Sequence, residues 1–177
     1  MKKFTVLLAG AAALLGAQTT AHAATFSPTS GTYVFKSDPS APVTVSKDLG
    51  AFGCDMEVTV TVNAGGVNGS VGVSLPSGSF VCPLIQITGS GTVTPFISGG
   101  REYVTISGLT ITPPLSSGQC TGSITAEVFD ATVSTSPTEI ELTSPGSDSS
   151  ATAGAPCKMV GKLYQTSPAS PQLQVVP

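Results

Sequence analysis

Two carboxylate pairs are the residues whose type and spacing come nearest to a reaction. Asp55 and Glu57, and again Glu139 and Glu141, stand two positions apart. On a β-strand each pair projects from one face, about 7 Å apart. A carboxylic acid and a carboxylate at that separation are the minimal equipment of a glycosidase. The neighbouring residues point to a plainer use. Glu57 alternates with Met56 and Val58, and Glu141 with Ile140 and Leu142, so each acidic pair takes the face opposite an apolar one. A solvated outer face is the expectation. Trp, a common lining of carbohydrate clefts, is absent from the chain.

Other chemistry is poorly supplied. The one histidine is His22, and it falls in a segment built for removal. Met1-Lys2-Lys3 gives a positive start, residues 6–16 (VLLAGAAALLG) an apolar stretch, and Ala21-His22-Ala23 a small-x-small cleavage site. That order is the signature of a secretory signal peptide, and the apolar stretch is too short to cross a bilayer. We therefore expect a signal peptide over residues 1–23 and a single exported domain over residues 24–177. Processing removes His22, which excludes a Ser-His-Asp triad and the commonest general base near neutral pH. Neither G-x-S-x-G, nor a P-loop, nor G-x-G-x-x-G occurs. Asp130 and Asp148 are the calcium candidates, but neither has EF-hand or RTX spacing around it. No catalytic residue, metal or cofactor is expected, and the chain is read as no enzyme.

The remaining charges restrict partners. Lys36, Lys47, Arg101, Lys158 and Lys162 face ten acids, so the exported part is mildly acidic. Nothing clusters into a basic patch that could release counterions from nucleic acid or bind anionic lipid. Nucleic acid is excluded as a partner. After signal cleavage no run of eighteen apolar residues remains to span a membrane.

Cys54, Cys82, Cys120 and Cys157 form an even set in an exported chain, which reads as two disulfides. Of the three connectivities, Cys54–Cys82 with Cys120–Cys157 is favoured, because each closes a modest loop. Zinc would need closely spaced ligands such as C-x-x-C, and there are none.

The elements that must carry these residues are strands. Met56, Val58, Val60 and Val62 share one face of an alternating run, and Val71, Val73 and Leu75 repeat the pattern after an Asn68-Gly69 turn. Further strands are expected at residues 32–35, 43–46, 80–88, 103–106, 109–112, 123–129, 139–142, 160–164 and 173–175. No exported segment has helical periodicity. The fold class is all-β: an antiparallel β-sandwich or barrel-like domain of about ten short strands with two disulfides. Residues 144–156 (SPGSDSSATAGAP) read as the most flexible loop. Most aromatic residues, spread singly along the strands, are expected in the core.

The cysteine frame resembles the PraB-like family, the protein activators of alkane oxidation. The resemblance rests on Phe26-Ser27-Pro28 leading to Gly31, on Cys54-Asp55-Met56-Glu57-Val58, and on Gly78-Ser79-Phe80-Val81-Cys82-Pro83-Leu84-Ile85. It continues through Val104-Thr105-Ile106-Ser107-Gly108-Leu109, Cys120-Thr121-Gly122-Ser123-Ile124 and Cys157-Lys158-Met159-Val160-Gly161. A Pro-Trp step associated with the family is replaced by Thr94-Pro95-Phe96. Members are small exported proteins of Gram-negative bacteria. The resemblance implies an accessory role outside the cell, at its surface or in the periplasm, in growth on hydrophobic substrates or in biofilm behaviour. It carries no catalytic residues.

Two partner classes follow, a hydrophobic substrate or interface and a second copy of the chain. Self-association would make the protein a pilin-like or matrix subunit joined through strand edges. The ending Gln174-Val175-Val176-Pro177 lacks the penultimate aromatic residue of chaperone–usher pilins. An acid-pair glycosidase is the third reading.

Overall fold

A computed structural model describes residues 22–48, 50–114, 117–130, 137–143, 146 and 148–177. The signal peptide read over residues 1–23 lies outside them except for its last two positions.

Among the described residues sixteen strands follow one another: β1 (His22–Ala23), β2 (Thr25–Ser27), β3 (Gly31–Lys36), β4 (Val43–Lys47), β5 (Gly50–Val62), β6 (Gly69–Gly78), β7 (Gln86–Thr88) and β8 (Gly91–Ser98). Then come β9 (Arg101–Ser107), β10 (Thr110–Thr112), β11 (Cys120–Thr121), β12 (Ile124–Phe129), β13 (Glu139–Leu142), β14 (Asp148–Ala151), β15 (Cys157–Ser167) and β16 (Gln174–Val176). The one helical element among the described residues is a 3-10 turn, Cys82–Leu84.

Eight of the strands close on themselves. The order β13-β12-β9-β8-β6-β5-β3-β15 is antiparallel throughout, and β15 pairs with β13 to complete a barrel. A closed barrel leaves few free strand edges, which suits a sheet protein whose charges are sparse. Its interior is built by the alternation seen in the sequence. On β5, Cys54, Met56, Val58, Val60 and Val62 are buried, while Thr61 is exposed and Glu57 half-exposed. Burial of each large side chain such as Phe35 or Leu163 contributes about 2–3 kcal/mol.

Strands β5 and β15 are longer than their neighbours, and two short strands share the gap between them. β3 covers Glu57–Val62 of β5, and β4 covers Gly50–Cys54. Between the two, the Met56 amide donates to Ser37 Oγ at 2.8 Å and the Ser37 amide to the Met56 carbonyl at 3.0 Å. Ser37 thus replaces the ladder where it is broken, as a buried backbone group requires.

Each end of the barrel is covered. At one end β2 and β16 pair, bringing the fully buried Phe26 opposite Val175. Buried Gln165 and Thr138 hold the segment before β16. Gln165 Oε1 accepts from the Leu173 amide at 2.8 Å, and Thr138 Oγ1 donates to the Leu173 carbonyl at 2.7 Å. At the other end lies a side sheet, β14-β11-β10-β7, attached through β14 to β15. Its β7–β10 pair continues the β8–β9 ribbon with the register shifted by one residue. The ribbon bends at Gly89 (φ 104°) and Gly108 (φ 80°), where a Cβ on either glycine would strike the backbone of the opposite turn. Only glycine permits that approach. Ile87, Leu109 and Ile111 are thereby turned onto the open end of the barrel.

The choice between sandwich and barrel falls to the barrel, and three expectations need correction. Residues 80–88 are not one strand. Pro83 lacks an amide and fixes its φ, so residues 82–84 form a turn and pairing resumes only at Gln86. The loop expected at residues 144–156 contains β14, whose Ser-rich sequence has no strand pattern. Its pairing is imposed by β11 and β15 on either side. Strand β8 was not among those expected. It carries Pro95 opposite Val104 in mid-strand, a residue that usually argues against a paired strand.

Candidate functional site

The acidic pairs of the sequence are each engaged by other side chains. Glu57 makes an ion pair with Lys36 at 2.8 Å, and Asp55 accepts from Ser77 Oγ at 2.6 Å. Glu139 and Glu141 both face Lys162, at 2.7 and 3.7 Å. The carboxylates are spent on the outer face of the barrel, where such pairs contribute little. Asp148 lies 3.5 Å from Lys158. Among the described residues no group of three His, Cys, Asp or Glu side chains could hold a metal ion.

A different carboxyl pair does come together, Glu102 on β9 with Asp130 just beyond β12. Asp130 is pushed up to about 7, first by burial, then by the Glu102 charge and by their mutual hydrogen bond. The Val175 backbone amide opposes this by donating to Asp130. One Asp130 oxygen is buried without a hydrogen-bond partner. The pair opens on a surface recess of about 420 Å³ lined also by Arg101, Glu127 and the exposed Phe129. Arg101 is committed to Glu127, with both carboxylate oxygens at 3.2 Å. Two carboxyls so placed can share one proton near neutral pH. By sequence alone Asp130 is only a calcium candidate. Twenty-eight positions separate the partners, and no local spacing announces their meeting.

The second feature is apolar. The disulfides are Cys54–Cys82 and Cys120–Cys157, with Cα atoms 5.6 and 5.9 Å apart. Cys54–Cys82 ties β5 to the turn between β6 and β7, and Cys120–Cys157 ties β11 to β15. The side sheet is therefore stapled near both of its margins. On the first stapled turn, Val81 and Cys82 point inward, while Phe80 is 80 % and Leu84 55 % exposed. The aromatic residues divide accordingly. Phe26, Tyr33 and Phe35 are core, Phe96 stacks on Tyr103 at 5.2 Å, and Phe80 and Phe129 face solvent. Exposed Phe80 corrects the expectation of a core residue. The signal that could have found it is Pro83, which breaks the strand that would have turned Phe80 inward.

Fold and site together define a disulfide-stapled, eight-stranded antiparallel barrel with an apolar interior and an exposed apolar turn. The chain belongs to the alkane oxidation protein activator PraA/PraB-like family, whose family model matches residues 1–177. No curated protein and no solved structure matches it.

Proposed function

We propose that this chain is an exported, non-catalytic accessory protein that aids the use of alkanes by touching hydrophobic material at or beyond the cell surface. The observation that carries this reading is the outward placement of Phe80 and Leu84 on a turn held by Cys54–Cys82. Large apolar side chains held out by a covalent tie have no intramolecular reason to be there. Apolar contact would recover about 2 kcal/mol from each side chain. The family description, an activator of alkane oxidation, agrees with such a role. Two disulfides suit a non-reducing compartment such as the periplasm or the exterior. Cleavage after Ala23 would remove β1 and leave the buried Ala24 as first residue. The N-terminal mass of protein recovered outside the inner membrane checks that site. A pendant-drop measurement tests the function. The purified protein should lower hexadecane–water interfacial tension at micromolar concentration, and unchanged tension would sink the reading.

Assembly through strand edges is the second reading. β6 beyond Val71, on the side away from β5, and β7, on the side away from β10, have no strand partner among the described residues. Yet β7 is three residues long and β6 carries Pro76 on that stretch, both features that discourage strand addition. Light scattering that returned a polymer would favour this reading instead.

A further inference from the structure

The residues on both sides of the expected leader cut are locked into the fold. Upstream of the Ala23–Ala24 bond, His22 and Ala23 of β1 pair with Ile97 and Phe96 of β8. Downstream, Thr25, Phe26 and Ser27 of β2 pair with Val176, Val175 and Gln174 of β16. Ala24, between the two strands, is buried, and Phe26 is fully buried. A third element closes over β2. The Phe26 amide donates to the Gly66 carbonyl at 2.7 Å, in the turn that joins β5 to β6. Gly66 packs so closely there that a Cβ on it would strike the Phe26 carbonyl oxygen.

A protease takes its substrate as an extended segment whose backbone pairs with the edges of the cleft, a form of strand addition. The residues flanking the cut must therefore be free, and here each is already paired or buried. Cutting the folded chain requires β1 to leave β8 and β2 to leave β16. Its rate then follows the small population in which both have opened. Chain order sets when this happens. The partner of β2 is β16, the last strand of the chain. During export β2 therefore stays unpaired until residues 174–176 have followed the rest of the domain across the membrane.

We propose that folding of this domain shields its own leader cut, with the pairing of β2 and β16 as the step that closes it. Water adds across the Ala23–Ala24 bond before that pairing, leaving the Ala23 carboxylate and the Ala24 ammonium; afterwards the bond is retained. The proposal rests on cleavage after Ala23, as read above, and adds its order relative to folding.

Full-length chain, residues 1–177, and purified bacterial signal peptidase in detergent micelles supply the test. One sample is folded with both disulfides formed before the peptidase is added. The other is diluted from urea straight into it, and mass spectrometry follows release of residues 24–177. The folded chain should be cut about a hundredfold more slowly than the unfolded one, or slower still. Gly66→Ala pushes β2 outward, and Val176→Pro removes a backbone donor from β16. Both leave residues 21–24 untouched, and each should speed cutting of the folded chain by about tenfold or more. Either variant decides the point if the other fails to fold. Equal rates for folded and unfolded chain overturn the shield and leave the cleavage site standing. Folded variants cut as slowly as the native chain overturn the β2–β16 pairing as the closing step. No cut after Ala23 in either sample sinks the cleavage site and the shield with it.

Discussion

Asp130 and Glu102 meet carboxyl to carboxyl at the ends of β12 and β9, with the Val175 amide donating to Asp130 from the C-terminal strand. Burial and the second carboxyl hold the Asp130 proton up to about pH 7. In the unfolded chain it leaves near 3.8. Between those values the folded state binds more protons than the unfolded one, so this group makes stability fall as pH rises from about 4 to about 7. Above that range its effect is constant. The group is about half open to solvent, so the loss is about 1–2 kcal/mol, well under the full linkage value. Asp130→Asn should flatten that slope and unfold at a higher denaturant concentration than the native protein at pH 8. Parallel denaturation curves at pH 5 and pH 8 check it, and an unaltered slope in the variant contradicts it.

Lys47 carries a second prediction. Its ammonium is buried and donates to Asp48 at 2.9 Å and to the carbonyls of Ala153 and Ala155 at 2.7 and 2.9 Å. Asp48 in turn accepts from the Ala155 amide at 2.6 Å. Lys47→Met should strand two carbonyls and a carboxylate, lowering stability by about 2–4 kcal/mol. A thermal melt should show this as a drop of roughly 5–15 °C. The Asp48 carboxyl is held below its ordinary value, chiefly by the Ala155 amide and then by Lys47. Its contribution is present above pH 4 and is lost as pH falls below the ordinary carboxylate range.

The disulfides carry a third. The sequence separations are 28 and 37 residues. By chain entropy each bond contributes about 3.5–4 kcal/mol. Cys120→Ser/Cys157→Ser should loosen β11 and β14, with hydrogen exchange rising at Thr121 and Ser150 before the barrel strands. Uniform exchange across barrel and side sheet would contradict the stapled arrangement.

What the sequence disclosed and what it hid have physical reasons. Alternation on Met56–Val62 found the inner face of β5, because one side of a barrel strand is buried and the other is wet. The pairing of four cysteines followed from loop size. Closure was not legible, since the β13–β15 register joins residues 19 to 25 positions apart and leaves no mark on local pattern. Ser149 shows a related limit. Nothing in a Ser-rich run says strand, yet neighbouring β11 and β15 impose one and bury it. Phe80 failed in the opposite direction, because Pro83 and Cys82 turn the chain where apolar alternation would continue. Glu102 and Asp130 were hidden for the same reason as closure: only the β9–β12 pairing brings them together.

The most direct measurement is depletion of the protein by hexadecane droplets, native against Phe80→Ser/Leu84→Ser. Both side chains are exposed, so the variant should fold and melt as the native protein does. The account predicts that its partition onto droplets falls by about a hundredfold to a thousandfold, from the loss of apolar contact at two side chains. Equal adsorption of the two proteins at matched stability would contradict it.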